Sequence, residues 1–217
     1  MLISARGGDV YPHYHALGKP RVKQVIAAGY QRANRIVAIS RWCRDRIHEI
    51  AGDDLPPIDV VYHGLDLADY DRRRAEALAH PPDLPVRRPF VVHVGRVAPV
   101  KRQTLAVRAV AKARDAFERR GVRYVIVGDG PDMPEVRRLI DEQRLHDVVT
   151  PVGVQDGLAK LWLQEQASFA VSASRDEAFG WVVLEAMAAG TPILASDIGS
   201  HPELVDELGV GRLFRSG

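Results

Sequence analysis

From about residue 88 onward, short β-branched runs alternate strictly with longer helical patterns, and this alternation restricts the fold more than any other feature. "FVVHVG" (Phe90 to Gly95), "RYVIVG" (Arg123 to Gly128), "VVTPVG" (Val148 to Gly153), "SFAVSA" (Ser168 to Ala173) and "PILAS" (Pro192 to Ser196) read as strands, with "GRLF" (Gly211 to Phe214) as a last one. They are apolar on both faces, as strands buried in a parallel sheet are. Helical patterns lie at about residues 102–119, 134–144, 157–166, 181–189 and 201–207. Parallel neighbours require right-handed crossovers, so the expected class is α/β, a doubly wound, Rossmann-like parallel sheet.

Upstream the pattern thins. "PPDLPVRRP" (Pro81 to Pro89) is rich in proline and charge and reads as a linker. Before it, "DRRRAEALAH" reads as a solvated helix face, because no aromatic residue interleaves its arginines. The first eighty residues offer strands at "MLIS", "RIVAIS" (Arg35 to Ser40) and "IDVVYHG" (Ile58 to Gly64), with helices near Val22 to Arg32 and Arg41 to Ile50. Three strands and two helices are few for a free-standing doubly wound domain. The expected organisation is therefore a partial α/β domain over 1–80, a linker over 81–89 and a nearly complete domain over 90–217.

A length of 217 residues suits one large domain or one and a half ordinary ones. A formal net charge of +2 demands neither nucleic acid nor an acidic polymer as partner. Cys43 is the single cysteine, which fits a structural role in a reducing compartment. The N-terminus is too poor in apolar residues for a secretory segment, and no apolar run approaches the ~20 residues that span a bilayer. The expectation is a soluble, cytoplasmic chain without a transmembrane segment, compatible with peripheral contact at a membrane.

Chemistry concentrates in "EAFGWVVLEAMAAG", Glu177 to Gly190. The loop holding Glu177 follows a strand, at the edge of the sheet where open α/β folds bind ligands. Gly180 marks a helix start, and the N–H groups of Phe179 to Val182 are expected to form an anion site suited to phosphate. Glu177 and Glu185 would flank it, offering acceptors to hydroxyl groups. Hydroxyls at both ends and phosphates between describe a nucleotide sugar. The competing reading has Glu177 capping the helix and Glu185 as an exposed helix residue.

"VGRVAPVK" (Val94 to Lys101) sets Gly95 at a strand tip with Arg96 and Lys101 beyond it, two cations able to neutralise a departing diphosphate. Lys101 as a plain surface residue is the alternative. "VGDGP" (Val127 to Pro131) is either a tight turn or a backbone wall for the ligand, and His201 in "SDIGSHPELV" reads as a surface residue. No G-x-G-x-x-G fingerprint, P-loop, metal-ligand spacing or Ser-His-Asp arrangement is visible, so no metal or cofactor is expected.

The succession "VGRVAPVK", "VIVGDGP", "EAFGWVVLEAMAAGTPILASDIGSHPELV" resembles the donor-binding half of retaining GT-B glycosyltransferases, the group 1 family of the glycogen synthase and mannosyltransferase type. Glu177 and Glu185 match that family's E-x7-E signature, and "ANRIVAIS" with "VVYHGLDLADY" is similar to its approach to the interdomain linker, where Asn-Gly often replaces His63-Gly64. The resemblance implies a GT-B fold and metal-independent transfer, with retention, from a nucleotide-diphosphate sugar to an acceptor it does not identify. It implies that Arg96 and Lys101 bind the diphosphate beside Gly95 and that Glu177 contacts the transferred sugar, these three charged residues serving catalysis. Phe179, Gly180, Trp181 and Val182 would offer backbone contacts, and Glu185 would hold the ribose.

Two departures accompany the resemblance. Family members often supply a histidine after an early strand, where "SARGGDV" carries Arg6, with His13 or His15 as substitutes. The family also continues beyond "GRLF" with a returning helix. The chain is thus expected to be a fragment or truncated product, weak in donor binding, inactive in transfer by itself and prone to self-association through 1–80. A non-catalytic nucleotide-sugar binding module that needs a partner chain is the alternative, and a sugar-nucleotide epimerase is a third reading.

Overall fold

The computed structural model describes residues 1–7, 10–11 and 17–216. Two parallel sheets form. The first has the order β1-β2-β3, from Leu2–Ala5, Arg35–Ala38 and Ile58–Val60, with α1 (Pro20–Gln31) and α2 (Arg41–Ala51) as crossovers. Pro20 opens α1 at a position where a missing N–H costs nothing, and Ser40 caps α2 by accepting from Cys43 N–H. Cys43, Ile47, Ile50 and Ala51 make the buried stripe of α2.

The second sheet comprises β4 (Phe90–Val94), β5 (Arg123–Val127), β6 (Val149–Gly153), β7 (Phe169–Ser172), β8 (Ile193–Ser196) and β9 (Gly211–Phe214), in the order β6-β5-β4-β7-β8-β9. The chain runs outward from β4 to β6, returns through α7 (Gly157–Gln166) and runs outward again from β7. That reversal is the doubly wound order, and its switch point lies between β4 and β7. Alternate residues feed opposite faces. Phe90, Val92, Val125 and Val127 join one apolar cluster, and Val91, Tyr124 and Ile126 join the other. The expectation of strands buried on both sides holds.

On one face lie α4 (Gln103–Lys112), α5 (Arg114–Arg120) and α6 (Met133–Glu142), the last burying Met133, Val136, Leu139 and Ile140. The helix expected over 102–119 is two helices that meet at Ala113, whose N–H is shared among the carbonyls of Ala109, Val110 and Ala111. The opposite face carries α7, α8 (Trp181–Ala188) and a π-helical turn (Pro202–Asp206) where a helix over 201–207 was expected.

The helix α3 (Leu67–Ala79) leaves the first sheet and packs on α7 of the second. Tyr70 donates its hydroxyl proton to Glu165 Oε1 at 2.7 Å, and Arg74 Nε approaches the same oxygen at 2.8 Å. Glu165 is almost wholly buried there, so α3 supplies the partners that a buried carboxylate needs. One apolar cluster also runs between the sheets, from Ile36 and Ala38 to Phe179 and Ala186.

Candidate functional site

The switch point brings together the loops that follow β4 and β7. Lys101 comes from the first and Glu177 from the second, and Lys101 Nζ donates to Glu177 Oε2 at 2.5 Å with both side chains partly exposed. Gly180, left-handed at φ 90°, is the N-cap of α8 and no side chain caps that helix. Glu177 is therefore an ion-pair partner rather than a helix cap. Among the described residues nothing accepts a hydrogen bond from the N–H groups of Phe179, Gly180, Trp181 or Val182, which leaves an array of donors beside the pair.

Gly95 ends β4, with its N–H on Val127 O at 2.9 Å, and Arg96 follows as an exposed side chain. Lys101 is not the plain surface residue of the alternative reading. The glycines of "VGDGP" serve a third purpose beyond a turn or a wall. A Cβ at Gly128 would stand 2.0 Å from Gly95 O, and one at Gly130 would stand 2.3 Å from Val97 O. Bare backbone lets one loop rest directly on the other and so fixes the course of the chain towards Lys101.

Glu185 occupies the body of α8 and accepts from Lys160 Nζ at 2.6 Å and Gln164 Nε2 at 2.7 Å, both on α7. It lines a cleft of about 180 Å³ with Tyr70 and Arg73 of α3, and it is not the exposed helix residue of the competing reading. Each acid of the E-x7-E pair thus has a lysine partner from a different element. Nothing in the sequence singles out Lys160 and Gln164. Their i, i+4 spacing puts them on one helical face, but spacing names no partner.

The first sheet closes the other side. Tyr11 accepts from Ala178 N–H at 3.2 Å, and burial, reinforced by Glu177, pushes its hydroxyl up to about 12. His63 stacks on Trp181 with ring centroids 4.7 Å apart and meets Phe179 edge-on at 4.8 Å. Burial, and secondarily Arg6, lowers the His63 pKa. Arg6 Nε lies 3.5 Å from Ser4 Oγ. His13 and His15 lie outside the described residues.

His201 corrects its reading as a surface residue. It is fully buried behind the Glu177 loop, with Nδ1 2.8 Å from Ser196 O and Nε2 3.3 Å from Ser172 Oγ. Burial lowers its pKa against the opposing pull of the Ser196 carbonyl and Glu177. His93 on β4 is also buried, shares a 2.6 Å hydrogen bond between Nδ1 and the Tyr124 hydroxyl, and is pushed down to about 3 by burial with Lys101 adding to the effect. A histidine kept neutral when folded but protonated when unfolded adds stability above the unfolded pKa and loses it as pH falls towards the folded one. Stability to urea is expected to drop between about pH 6.5 and 5 by roughly 1.4 kcal/mol per pH unit for His93 alone. His93→Gln should flatten that slope, and an unchanged slope would contradict the burial of a neutral ring.

Among the described residues no group of three or more His, Cys, Asp or Glu could hold a metal ion, and no helix is long and apolar enough to cross a membrane. The arrangement offers cations and N–H groups to an anion, and carboxylates to hydroxyls on either side.

Charged loops gathered at the switch point of a doubly wound sheet, faced by a second parallel sheet, describe an α/β protein of GT-B type. The family model described as glycosyl transferases group 1 matches residues 76–217, and the chain belongs to that family. Over 198 residues it is 27% identical to N-acetyl-alpha-D-glucosaminyl L-malate synthase of Bacillus anthracis, covering 91% of this chain and 50% of that protein. Over 220 residues it is 32% identical to D-inositol 3-phosphate glycosyltransferase of Mycolicibacterium paratuberculosis, covering 96% of this chain and 46% of that protein. The chain thus spans about half the length of the curated relatives it matches. Among solved structures, HepE of Anabaena in complex with UDP superposes with a TM-score of 0.78 at 22% identity, over 100% of this chain and 58% of that one. Sucrose-phosphate synthase from Thermosynechococcus elongatus gives 0.75 at 24%, over 99% and 54%. Both share the fold.

Proposed function

We propose that this chain binds a nucleotide-diphosphate sugar and takes part in its transfer, with retention and without a metal, in the cytoplasm. The observation that carries the reading is the Lys101–Glu177 pair set beside the open N–H groups at the start of α8. Lys101 and Arg96 neutralise the diphosphate, and with the α8 N-terminus they stabilise the charge that grows as it departs. Glu177 turns from Lys101 to the sugar hydroxyls as the donor enters. Glu185, held by Lys160 and Gln164, takes the ribose. The sugar's anomeric carbon passes through an oxocarbenium-like transition state, and the acceptor attacks from the face the diphosphate leaves. That UDP and UDP-glucose occupy the HepE structures supports a nucleotide in this cleft. The non-catalytic alternative draws no support from the relatives, which are named as glycosyltransferases or synthases.

Titration of the chain against UDP-, GDP- and ADP-sugars tests the reading, and failure to bind any of them would end it. Unchanged binding in the presence of EDTA is the expected outcome for a metal-free site. The two acids can be separated. Glu185→Ala is expected to weaken nucleoside diphosphate and nucleotide sugar alike, each by roughly 1.5–3 kcal/mol, the range for hydrogen bonds to charged groups. Glu177→Ala should weaken only the nucleotide sugar. Equal losses for both ligands in both variants would contradict these roles.

A further inference from the structure

We infer that Ser40 and Glu203 are positioning residues for the donor sugar, tying the loop that carries Glu177 to the first turn of α2. The inference rests on the donor site proposed above.

The first three N–H groups of α2 all have partners, and two of those come from the far end of the chain. Arg41 N–H donates to Glu203 Oε2 at 3.0 Å, Trp42 N–H to Glu203 Oε1 at 3.1 Å, and Cys43 N–H to Ser40 Oγ at 3.0 Å. Glu203 sits in the π-helical turn of the second sheet and is 8% exposed. The Tyr62 hydroxyl donates to its Oε2 at 2.9 Å, and Arg41 Nε lies 3.5 Å away. A buried carboxylate with this many donors, seated on a helix N-terminus, is a built anchor between the two sheets.

Ser40 has a second role. Its hydroxyl has one proton to give, and it donates that proton to Ala178 O at 2.6 Å. Ala178 N–H goes to the Tyr11 hydroxyl, so the first half of the chain holds both backbone groups of the residue after Glu177. From the other side, Ser200 N–H donates to Glu177 O at 3.0 Å and Ser200 Oγ to Phe179 O at 2.7 Å. Ser200 stands three residues before Glu203, so the bonds close a ring through α2, the π-helical turn and the Glu177 loop. The backbone of Lys101 belongs to the β4 loop and Glu185 is held against α7, so of the nucleotide's partners these two lie off the ring, although Lys101 Nζ reaches Glu177 across it. Loosening it should disturb Glu177's contact to the sugar most, and the diphosphate less, since Lys101, Arg96 and Glu185 keep their own supports beside the Phe179 to Val182 N–H groups.

The test uses the full chain with UDP-glucose, UDP-N-acetylglucosamine, GDP-mannose and ADP-glucose, each beside its own nucleoside diphosphate. For the sugar that the wild type binds, Ser40→Ala and Glu203→Gln are expected to raise Kd about fivefold, with the nucleoside diphosphate held within about twofold. Ser40→Thr keeps the hydroxyl and should restore wild-type selectivity. Tyr11→Phe, which leaves the α2 cap intact, should reproduce the effect even if Ser40→Ala fails to fold. An unchanged ratio of the two affinities in the folded variants, or equal losses for both ligands, would overturn the inference alone. A wild type that binds none of the four sugars would overturn the functional reading and the inference with it.

Discussion

Lys101→Ala is expected to weaken binding of a nucleoside diphosphate by roughly 1.5–3 kcal/mol, the range for hydrogen bonds to charged groups. The fold should register the change far less. The Lys101–Glu177 pair retains some exposure at both side chains, so solvent can reach the carboxylate that the substitution leaves unpaired. Affinity and stability thus part company, and calorimetric titration beside thermal unfolding reads both. A sharper outcome follows from the partner. Without Lys101 the Glu177 carboxylate faces the incoming diphosphate with no cation between them, and like charges repel. The double variant Lys101→Ala/Glu177→Ala should therefore bind nucleoside diphosphate more tightly than Lys101→Ala alone, a coupling that a double-mutant cycle isolates. Unchanged affinity in the single variant would remove Lys101 from the site.

Gly199→Ala is the second substitution with a large expected effect. Gly199 lies between β8 and the π-helical turn at φ 55°, and a Cβ there would fall 2.0 Å from Glu177 O and 3.0 Å from its carbonyl carbon. No rotamer relieves an overlap between a Cβ and backbone, so the Glu177 loop has to move. The expected cost is about 3 kcal/mol or more in stability, in the range that marks a named structural failure rather than ordinary substitution. Nucleotide-sugar affinity should fall by at least about tenfold, about 1.4 kcal/mol. Gly209→Ala provides the control, since Gly209 has φ 65° and nothing within 4 Å of the added carbon. It carries only the left-handed strain, about 1–2 kcal/mol, and leaves the loop where it is. Equal effects at the two glycines would mean that contact with Glu177 does not matter.

Much of the second sheet is legible because a parallel strand buried on both faces is apolar on both, as β4 and β5 are except at His93 and Arg123 and β7 is up to Ser172. The helix over 157–166 is legible at its observed bounds because Leu158 to Gln166 is rich in good helix formers and a strand pattern begins at Ser168. The π-helical turn and the break at Ala113 were not visible, since both turn on how backbone hydrogen bonds are shared rather than on side-chain pattern. Glu177, Gly180 and Lys101 could be found because glycines and charges at strand ends carry meaning locally. Ser40, Tyr11, Lys160 and Glu203 could not, because each acquires its role from a partner that sequence distance hides. His201 shows the limit most clearly. A polar residue in a loop between a serine and a proline reads as solvated, yet three serines and a carbonyl behind the Glu177 loop give it a polar interior to enter.

The strap formed by α3 determines where this polypeptide can be divided. The family match begins at residue 76, inside that helix, and a shorter polypeptide started there would keep Glu165 but lose the Tyr70 hydroxyl that donates to it and the Arg74 guanidinium that neutralises it. It would also uncover α7, and with it the Lys160 and Gln164 that hold Glu185. A dissection that preserves the cleft around Glu185 therefore has to begin upstream of Leu65, within the loop that leaves β3. A protease cutting between Leu67 and Ala79 would undo the far wall of the cleft.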